Sequence, residues 1–331
     1  MGRRTRKTVV DLTLSDEDED DEENEADKKE AKKDKKVKEV KKDSGSSGHF
    51  RPENWARKCA DRDYKLKSTL ELEKKLKEFK SCREPEPFII KCLEKRIIDE
   101  ITCNYLVLSG SVVQRGKMRR LIRGLDIGSA DPDLVEEMYA LRRATELVFS
   151  TAKEGTPLTE EFIKKIHAII MTDMYDGGGK YREKRVMLPA CPKEPAKPED
   201  IERRLRKLLS SELVYDKSIP IWSRVERFHL EFEDIHPFDR GNGRVGALLI
   251  AYQLMSEGYP PAEILFEDCV DYFHAFDVFY IYENETPMRN FFTFIIERGV
   301  DTYLDVYHRY NENLRTMKRL NRRKCRKIAS R

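Results

Sequence analysis

The chain has 331 residues, which is enough for one large domain or two small ones with tails. Charged side chains make up 38% of it, well above the ~25% usual in globular proteins, although the formal net charge is only +3. No apolar run reaches the ~18 residues of a membrane span, and the N-terminus lacks an apolar signal core, so we expect neither. The seven cysteines are odd in number and lack zinc-ligand spacing, which favours reduced thiols in a cytosolic or nuclear protein.

Residues 1–50 are predicted to be a disordered tail, because their charge density leaves too little apolar surface to bury. An apolar island at residues 9–14 precedes an acidic run, and residues 9–20 together resemble a SUMO-interaction motif. A short β-branched stretch of this kind adds to the edge of a partner's sheet while the acids meet a basic rim. The alternative is a chance apolar island in a charged tail. The side chains expected to contact SUMO are Val9, Val10, Leu12 and Leu14.

Helical periodicity dominates after the tail. Apolar residues at helical spacing predict one helix over residues 64–79 and another over 88–108, and we assign residues 51–94 to an N-terminal helical extension. Asp131-Pro132 predicts a helix start, with Asp as the cap and Pro at the first helical position, and Thr159 opens a further helix. These signals predict an all-α domain.

The pattern changes between residues 177 and 198. Three glycines are followed by a short extended run at 185–188 and by four prolines. This composition predicts a small β-hairpin or an exposed flap.

A helix starting near Ser223 ends at the loop 236–244, and the helix that follows is apolar nearly all round, which predicts the buried centre of the domain. Glycines at 241 and 243 let the backbone approach a ligand, and the helix start behind them is an anion site. Arg244 offers a planar donor fork for phosphate, and Asn242 can orient a phosphate oxygen. His236 can take a proton from an incoming hydroxyl. Any one of these residues alone is more often structural, but together they point to phosphoryl-type transfer.

The run His-Pro-Phe-Asp-Arg-Gly-Asn-Gly-Arg over residues 236–244 resembles the signature of Fic-domain proteins, and the likeness extends over residues 95–305. The resemblance implies transfer of AMP from ATP to a Ser, Thr or Tyr hydroxyl of a target protein. It implies that His236 is the general base and that Gly241-Asn242-Gly243 forms the anion hole, with Arg244 on the nucleotide phosphates. It also implies that the flap aligns the target protein. The flap residues expected to do so are Tyr181, Arg182, Val186 and Leu188.

Three departures from the family pattern stand out. Arg240 occupies the place of the usual acidic Mg²⁺ ligand, which leaves Asp239 as an uncertain substitute and Arg240 as an extra phosphate contact. Ala247 occupies the place of the usual second arginine. Residues 104–111, which align best with the family's inhibitory helix, contain no Glu. We therefore expect ATP or another nucleotide as co-substrate, with doubtful use of Mg²⁺.

Basic residues cluster at both ends of the chain, at 3–7 and within a C-terminal helix or tail at 306–331. These clusters resemble nuclear-import signals; weak nucleic-acid contacts and plain solvated ends are the alternatives. We expect a eukaryotic protein that is nuclear, or nuclear and cytoplasmic.

The leading hypothesis is an enzyme: a Fic-type transferase that moves AMP, or a related nucleotidyl or phosphodiester group, to a protein hydroxyl with atypical metal use. The alternative is an inactive Fic-fold module that binds nucleotide or protein and is recruited through SUMO. His236 favours the enzyme, whereas Arg240 and Ala247 favour the inactive module or a Fic enzyme that uses another phosphodiester donor.

Overall fold

The structure is a computed structural model of the chain. It describes residues 69–108, 115–125, 130–171, 177–187 and 193–329, and residues 9–14 with the proposed SUMO contacts lie outside these ranges. Short 3-10 turns occur at Pro198–Asp200 and Phe266–Asp268. The α-helices of the described ranges are α1 (Thr69–Ser81), α2 (Pro87–Leu108), α3 (Arg115–Ile122), α4 (Pro132–Lys153), α5 (Glu160–Met171), α6 (Ile201–Leu209), α7 (Glu212–Tyr215), α8 (Ile221–Ile235), α9 (Asn242–Ser256), α10 (Cys269–Tyr282) and α11 (Thr286–Ala329).

Helix starts follow the local signals of the sequence. The Asp131 side chain accepts a hydrogen bond from the Asp133 N–H over 3.0 Å, with Pro132 in the first helical position of α4. The Thr159 hydroxyl accepts from the Phe162 N–H over 3.1 Å and caps α5. The described ranges contain no β-strand, which confirms the all-α class, and the hairpin expected within 177–198 does not form in the described part of that segment.

Helix α9 lies between two hydrophobic clusters and contributes to both. Val245 and Leu248 belong to a cluster built mainly by α2, α4, α5 and α6. Ile250 and Leu254 belong to a second cluster with α1, α10 and α11. Because its neighbours surround it, nearly every residue of α9 is buried, which confirms the prediction that this helix is the centre of the domain. Helix α8 packs against α9, so the 236–244 loop joins two central helices.

The proposed domain limits at residues 94 and 305 fall inside continuous helices, α2 and α11. Leu72 and Leu76 of α1 are buried in the second cluster, so the described part of the N-terminal extension packs into the core. None of the helices in the described part combines the length and apolar character that crossing a membrane requires.

Candidate active site

His236 lies where α8 ends, and its backbone is left-handed, with φ 46° and ψ 63°. Its N–H donates to the Phe232 carbonyl over 2.9 Å. A left-handed residue other than glycine costs on the order of 1 kcal/mol, so the surroundings must hold it in place. The conformation turns the chain out of the helix and leaves the imidazole half-buried at the start of the loop.

A buried arginine holds this turn. Arg182 is 2% exposed, and its Nε donates to the His236 carbonyl over 2.7 Å. Its two Nη atoms donate to the carbonyls of Ile235 (3.3 Å), Lys184 (2.9 Å) and Ala196. The last carbonyls of a helix have no partner within the helix, and a guanidinium carries five donors in a rigid fork. One side chain therefore satisfies the end of α8 and fixes the segment that precedes α6.

Two expectations for the flap are corrected here. Arg182 is a buried support for the loop, not a residue that faces a target protein. The backbone of the flap bonds to the end of α8 instead of to a second strand, since the N–H of Arg182 donates to Pro237 and that of Ala196 to Asp234, each over 3.0 Å. The prolines of this segment lack the N–H groups that a strand ladder needs.

The other flap residues are placed differently from one another. Tyr181 is half-buried, with Lys164 Nζ 4.0 Å from its ring centroid and the Phe238 ring 5.9 Å away. Val186 is half-buried as well, and Leu188 lies outside the described residues. Tyr181 thus borders the loop, and no role in target alignment is tested by these positions.

The loop is closed by Asn242, which is 2% exposed. Its Oδ1 accepts from the Phe238 N–H over 2.9 Å, and its Nδ2 donates to the Phe238 carbonyl over 2.7 Å. Both ends of the amide therefore bind the loop backbone. Asn242 therefore shapes the loop, and its role in orienting a phosphate stays a prediction.

His167 of α5 supports the loop from below, and the sequence-based hypothesis gives it no role. Its ring stacks on Phe238 with centroids 3.7 Å apart and planes 5° apart. Its Nδ1 accepts from the Gly179 N–H over 2.9 Å, so Nε2 carries the proton and donates to the Arg240 carbonyl over 3.0 Å. The only signal in the sequence was a lone imidazole on the apolar stripe of its helix.

The same contacts keep this imidazole neutral. His167 is 2% exposed, and burial lowers its pKa to about 4, although the hydrogen bond to the Arg240 carbonyl acts in the opposite direction. A protonated Nδ1 would lose the bond from Gly179, because both nitrogens would then be donors. The flap and the loop are therefore joined through a neutral histidine.

The two loop glycines, Gly241 and Gly243, differ in conformation and in surroundings. Gly241 has φ 78°, and a Cβ on it would lie 3.0 Å from the Met171 sulfur and 3.5 Å from the His167 ring, so both its conformation and its packing need glycine. Gly243 is exposed, and an added Cβ would meet nothing within 4 Å. Space is thus open beside the first turn of α9, where helix geometry leaves N–H groups without intrahelical partners.

Arg244 points across this opening to α4. Its Nη1 is 2.6 Å from Glu137 Oε1, and the two side chains are 16% and 33% exposed. A guanidinium held by one carboxylate keeps further donors for an anion, but the carboxylate lowers the positive charge that the anion meets. Sequence reasoning missed Glu137, which lies 107 positions earlier in the chain.

Arg240 lies where the resemblance implies a metal ligand, and its side chain does not fit a metal. Arg240 and its neighbour Asp239 are both exposed, and an arginine offers no ligand atom to a cation. Within the described ranges, no three carboxylate, imidazole or thiol groups come together as a metal site. Ala247, at the position of the usual second arginine, is buried in the core with 4% exposure.

The profile of the Fic/DOC family matches residues 157–254, which contain α5, the flap, α8, the loop and most of α9. Residues 157–254 are therefore similar to the Fic/DOC family, and we refer to them below as the Fic domain. The match includes every residue of the loop and both of its supports, Arg182 and His167.

Curated relatives of this Fic domain include two from animals. The "Protein adenylyltransferase Fic" of Nematostella vectensis is 31% identical over 176 residues, which cover 51% of this chain and 39% of the relative. That of Drosophila willistoni is 33% identical over 174 residues, covering 51% of this chain and 34% of the relative. The chain thus spans less than half of the length of the curated relatives it matches.

Solved structures show the same fold around the Fic domain. A Fic domain containing signaling protein from Bacteroides thetaiotaomicron superposes with a TM-score of 0.62 and 24% identity, over 72% of this chain and 97% of that one. Fic-1 from C. elegans, residues 134–508, superposes with a TM-score of 0.60 and 17% identity, over 75% and 72% of the two chains. At these identities the likeness concerns the fold.

Proposed function

We propose that this chain transfers AMP from ATP, or a related nucleotidyl group, to a Ser, Thr or Tyr hydroxyl of a protein. The observation that carries the proposal is the place of His236, at one end of a rigid loop whose other end is the open N-terminus of α9. A base and an anion-binding helix start are what such a transfer needs at close range. The adenylyltransferase names of the animal relatives support the same reaction.

In the proposed reaction, the His236 imidazole accepts the proton of the target hydroxyl as the oxygen attacks the α-phosphorus. A P–O bond forms to the target, the bond to the β-phosphate breaks, and pyrophosphate leaves with its charge. The first amides of α9 and the Arg244 guanidinium face the phosphates, since the space beside Gly243 is open. Arg240 adds a second positive charge from the exposed side of the loop.

The transfer is tested by incubating the full chain with labelled nucleotides and a cell lysate, and by measuring label on proteins. We expect labelling by wild type and none by His236→Ala. His308→Ala, which removes an exposed imidazole of α11, is the matched control and should label like wild type. Equal labelling by wild type and His236→Ala would remove His236 from the mechanism.

The alternative function is a module that binds nucleotide or protein without transfer. It is favoured by the Glu137 carboxylate on Arg244 and by the buried Ala247. Nucleotide binding by calorimetry, with no labelling from any donor, would select this alternative.

We propose that nucleotide binding depends little on Mg²⁺ at the protein, because Arg240 replaces a metal ligand by a phosphate-seeking cation. Calorimetry with and without Mg²⁺ tests this on wild type, Arg240→Ala and Arg240→Asp. Binding should weaken in Arg240→Ala, and metal dependence should appear in Arg240→Asp. Strong Mg²⁺-dependent binding by wild type would show that another residue, with Asp239 the first candidate, holds the ion.

We also propose that residues 9–20 bind SUMO and recruit the protein in the nucleus. The support is the apolar island with acids behind it. A peptide of residues 5–23 should bind SUMO with about −7 to −8 kcal/mol, and Val10→Ala with Leu12→Ala should abolish the binding. Absence of chemical-shift changes in SUMO at high peptide excess would refute it, and nuclear accumulation of a tagged full chain tests the location.

A further inference from the structure

A carboxylate lies behind His236, one turn earlier in α8. Glu233 Oε2 is 3.7 Å from His236 Nδ1. His236 Nδ1 and Glu233 Oε1 are both buried, and neither has a hydrogen-bond partner. Because nearly all buried polar atoms in proteins are paired, the unpaired Nδ1 of His236 points to the neighbouring Oε2 of Glu233 as its partner. The distance exceeds a hydrogen bond by less than 1 Å, which a small rotation of either side chain removes.

The Glu233 carboxylate lies against α9 at Gly246, where the helix has no side chain. A Cβ on Gly246 would lie 2.5 Å from Glu233 Oε1 and 3.1 Å from the His229 ring. The absence of a side chain at residue 246 is therefore what allows α8 to carry a glutamate at this contact.

The other groups near Glu233 carry no charge. Burial lowers the pKa of His229, whose Nε2 lies 2.8 Å from the Tyr272 hydroxyl, and burial raises the pKa of Tyr272 well above its usual value. Both side chains are thus neutral near pH 7. His236, by contrast, forms an ion-pair contact with the Glu233 carboxylate over 3.7 Å when it is protonated.

We propose that Glu233 is a positioning residue for His236, an inference that rests on the proposed function. Its carboxylate accepts a hydrogen bond from Nδ1–H, so the Nε2 lone pair faces the loop where the target hydroxyl arrives. When Nε2 takes the hydroxyl proton, the imidazolium is stabilised by the adjacent carboxylate, which remains ionised. The proton thus moves from the target oxygen to Nε2 and no further.

The first readout needs no activity. In ¹⁵N-histidine NMR of the full chain at about pH 8.5, where an ordinary imidazole is neutral, wild-type His236 should carry its proton on Nδ1. In Glu233→Leu, which removes the acceptor at similar size, the proton should move toward Nε2. Glu231→Leu, on the exposed face of the same helix, is the matched control and should leave His236 unchanged.

The second readout is kinetic. Glu233→Leu should lower kcat roughly 100-fold with little change in KM for nucleotide, as for loss of an oriented base. Glu233→Gln keeps an acceptor and loses the charge, so it should keep the wild-type tautomer and lose roughly 10-fold in kcat. If Glu233→Leu does not fold by circular dichroism, Gly246→Ala displaces the same carboxylate and should shift the tautomer in its place.

The outcomes separate this inference from the transferase proposal. If wild type labels no protein, the transferase proposal fails, and the tautomer of His236 still decides the role of Glu233. Wild-type His236 protonated on Nε2, or a tautomer unchanged in Glu233→Leu, would overturn the positioning role whatever the activity. An unchanged kcat in Glu233→Gln would overturn the stabilisation of the imidazolium.

Discussion

Helix α8 has two regions that treat polar groups in opposite ways. At its C-terminal end, backbone carbonyls are satisfied by Arg182, and the loop beyond is closed by Asn242 and His167. Along its buried side, both oxygens of Glu226 and one of Glu233 have no hydrogen-bond partner. The backbone frame of the site is thus complete within the protein, whereas the buried carboxylates are left with unused capacity. The hydrogen bonds that hold the loop and the charge of the buried carboxylates are therefore separate properties of this helix.

The largest effect on the hydrogen bonds that hold the loop is expected from a substitution of Asn242. Asn242→Ala removes both hydrogen bonds to Phe238 and leaves two buried backbone groups unpaired, at a cost of about 2–4 kcal/mol in free energy of unfolding. Labelling should fall by roughly 100-fold or more, because the helix start is no longer held against the base. Urea unfolding and the labelling assay measure the two effects.

Asn311→Ala is the matched control for that change. Its amide donates to the Tyr307 carbonyl within α11, away from the loop. It should lower stability by less than about 1 kcal/mol and leave labelling intact. Equal losses in the two variants would mean that closure of the loop is not what Asn242 supplies.

The neutral histidine gives the frame a pH dependence. The pKa of His167 is about 4 in the folded protein against an ordinary value of 6.5, so the unfolded chain binds a proton more tightly between these values. Stability is complete above pH 6.5 and falls as the pH drops toward 4, by about 2.5 kcal/mol between pH 7.5 and 4.5.

Urea unfolding at the two pH values measures this loss, and His167→Phe isolates it. Phenylalanine keeps a ring against Phe238 and has no proton to bind. The variant should be less stable than wild type at pH 7.5. It should lack the loss of stability that protonation of His167 causes between pH 7.5 and 4.5. A variant with the full wild-type pH dependence would assign the loss to other groups.

The buried carboxylate of Glu226 predicts a pH dependence of stability with the opposite sign. Glu226 is 1% exposed, and burial raises its pKa to about 7, against the opposing charge of Arg289 3.8 Å away. The folded state therefore binds the proton more tightly, and stability is lost as the pH rises from 4.5 through 7. We compare the free energy of unfolding of Glu226→Gln with that of wild type. The difference should shift in favour of the variant by about 2 kcal/mol between pH 5 and pH 8. Differences of equal size at both pH values would contradict the buried acid.

The smallest effect is expected where Glu137 meets Arg244. Glu137→Gln removes the competing charge, so nucleotide should bind severalfold more tightly, by about 1 kcal/mol or less for a partly exposed pair. Glu136→Gln removes the adjacent, exposed carboxylate that pairs with Arg143, and it should leave affinity unchanged. Calorimetry on both variants decides whether Glu137 screens the arginine.

Much of the fold could be predicted because it is local. The Asp131 cap, the end of α8 and the all-round burial of α9 follow from residue order and periodicity alone. The loop motif located the candidate site for the same reason, since its chemistry lies within residues 236–244.

The supports of the site could not be predicted, because they join residues far apart in the chain. Periodicity places His167 on a buried face but does not say that it bonds Gly179 and Arg240. Arginine in a glycine-rich, extended segment suggests an exposed flap, and only the structure shows Arg182 reaching four carbonyls. The hairpin does not form in the described part of the segment, because Arg182 binds the carbonyls of Lys184 and Ala196 and the N–H groups of Arg182 and Ala196 donate to Pro237 and Asp234.

The clamp made by Arg182 has a consequence for how the domain can change. One side chain binds the carbonyls of Lys184 and Ala196, so these two backbone positions are held at the same point. Lengthening a segment whose two ends are held together costs only about 0.6 kcal/mol for each doubling of its length. We therefore expect insertions or exchanges between residues 185 and 195 to leave His236 and the start of α9 where they are.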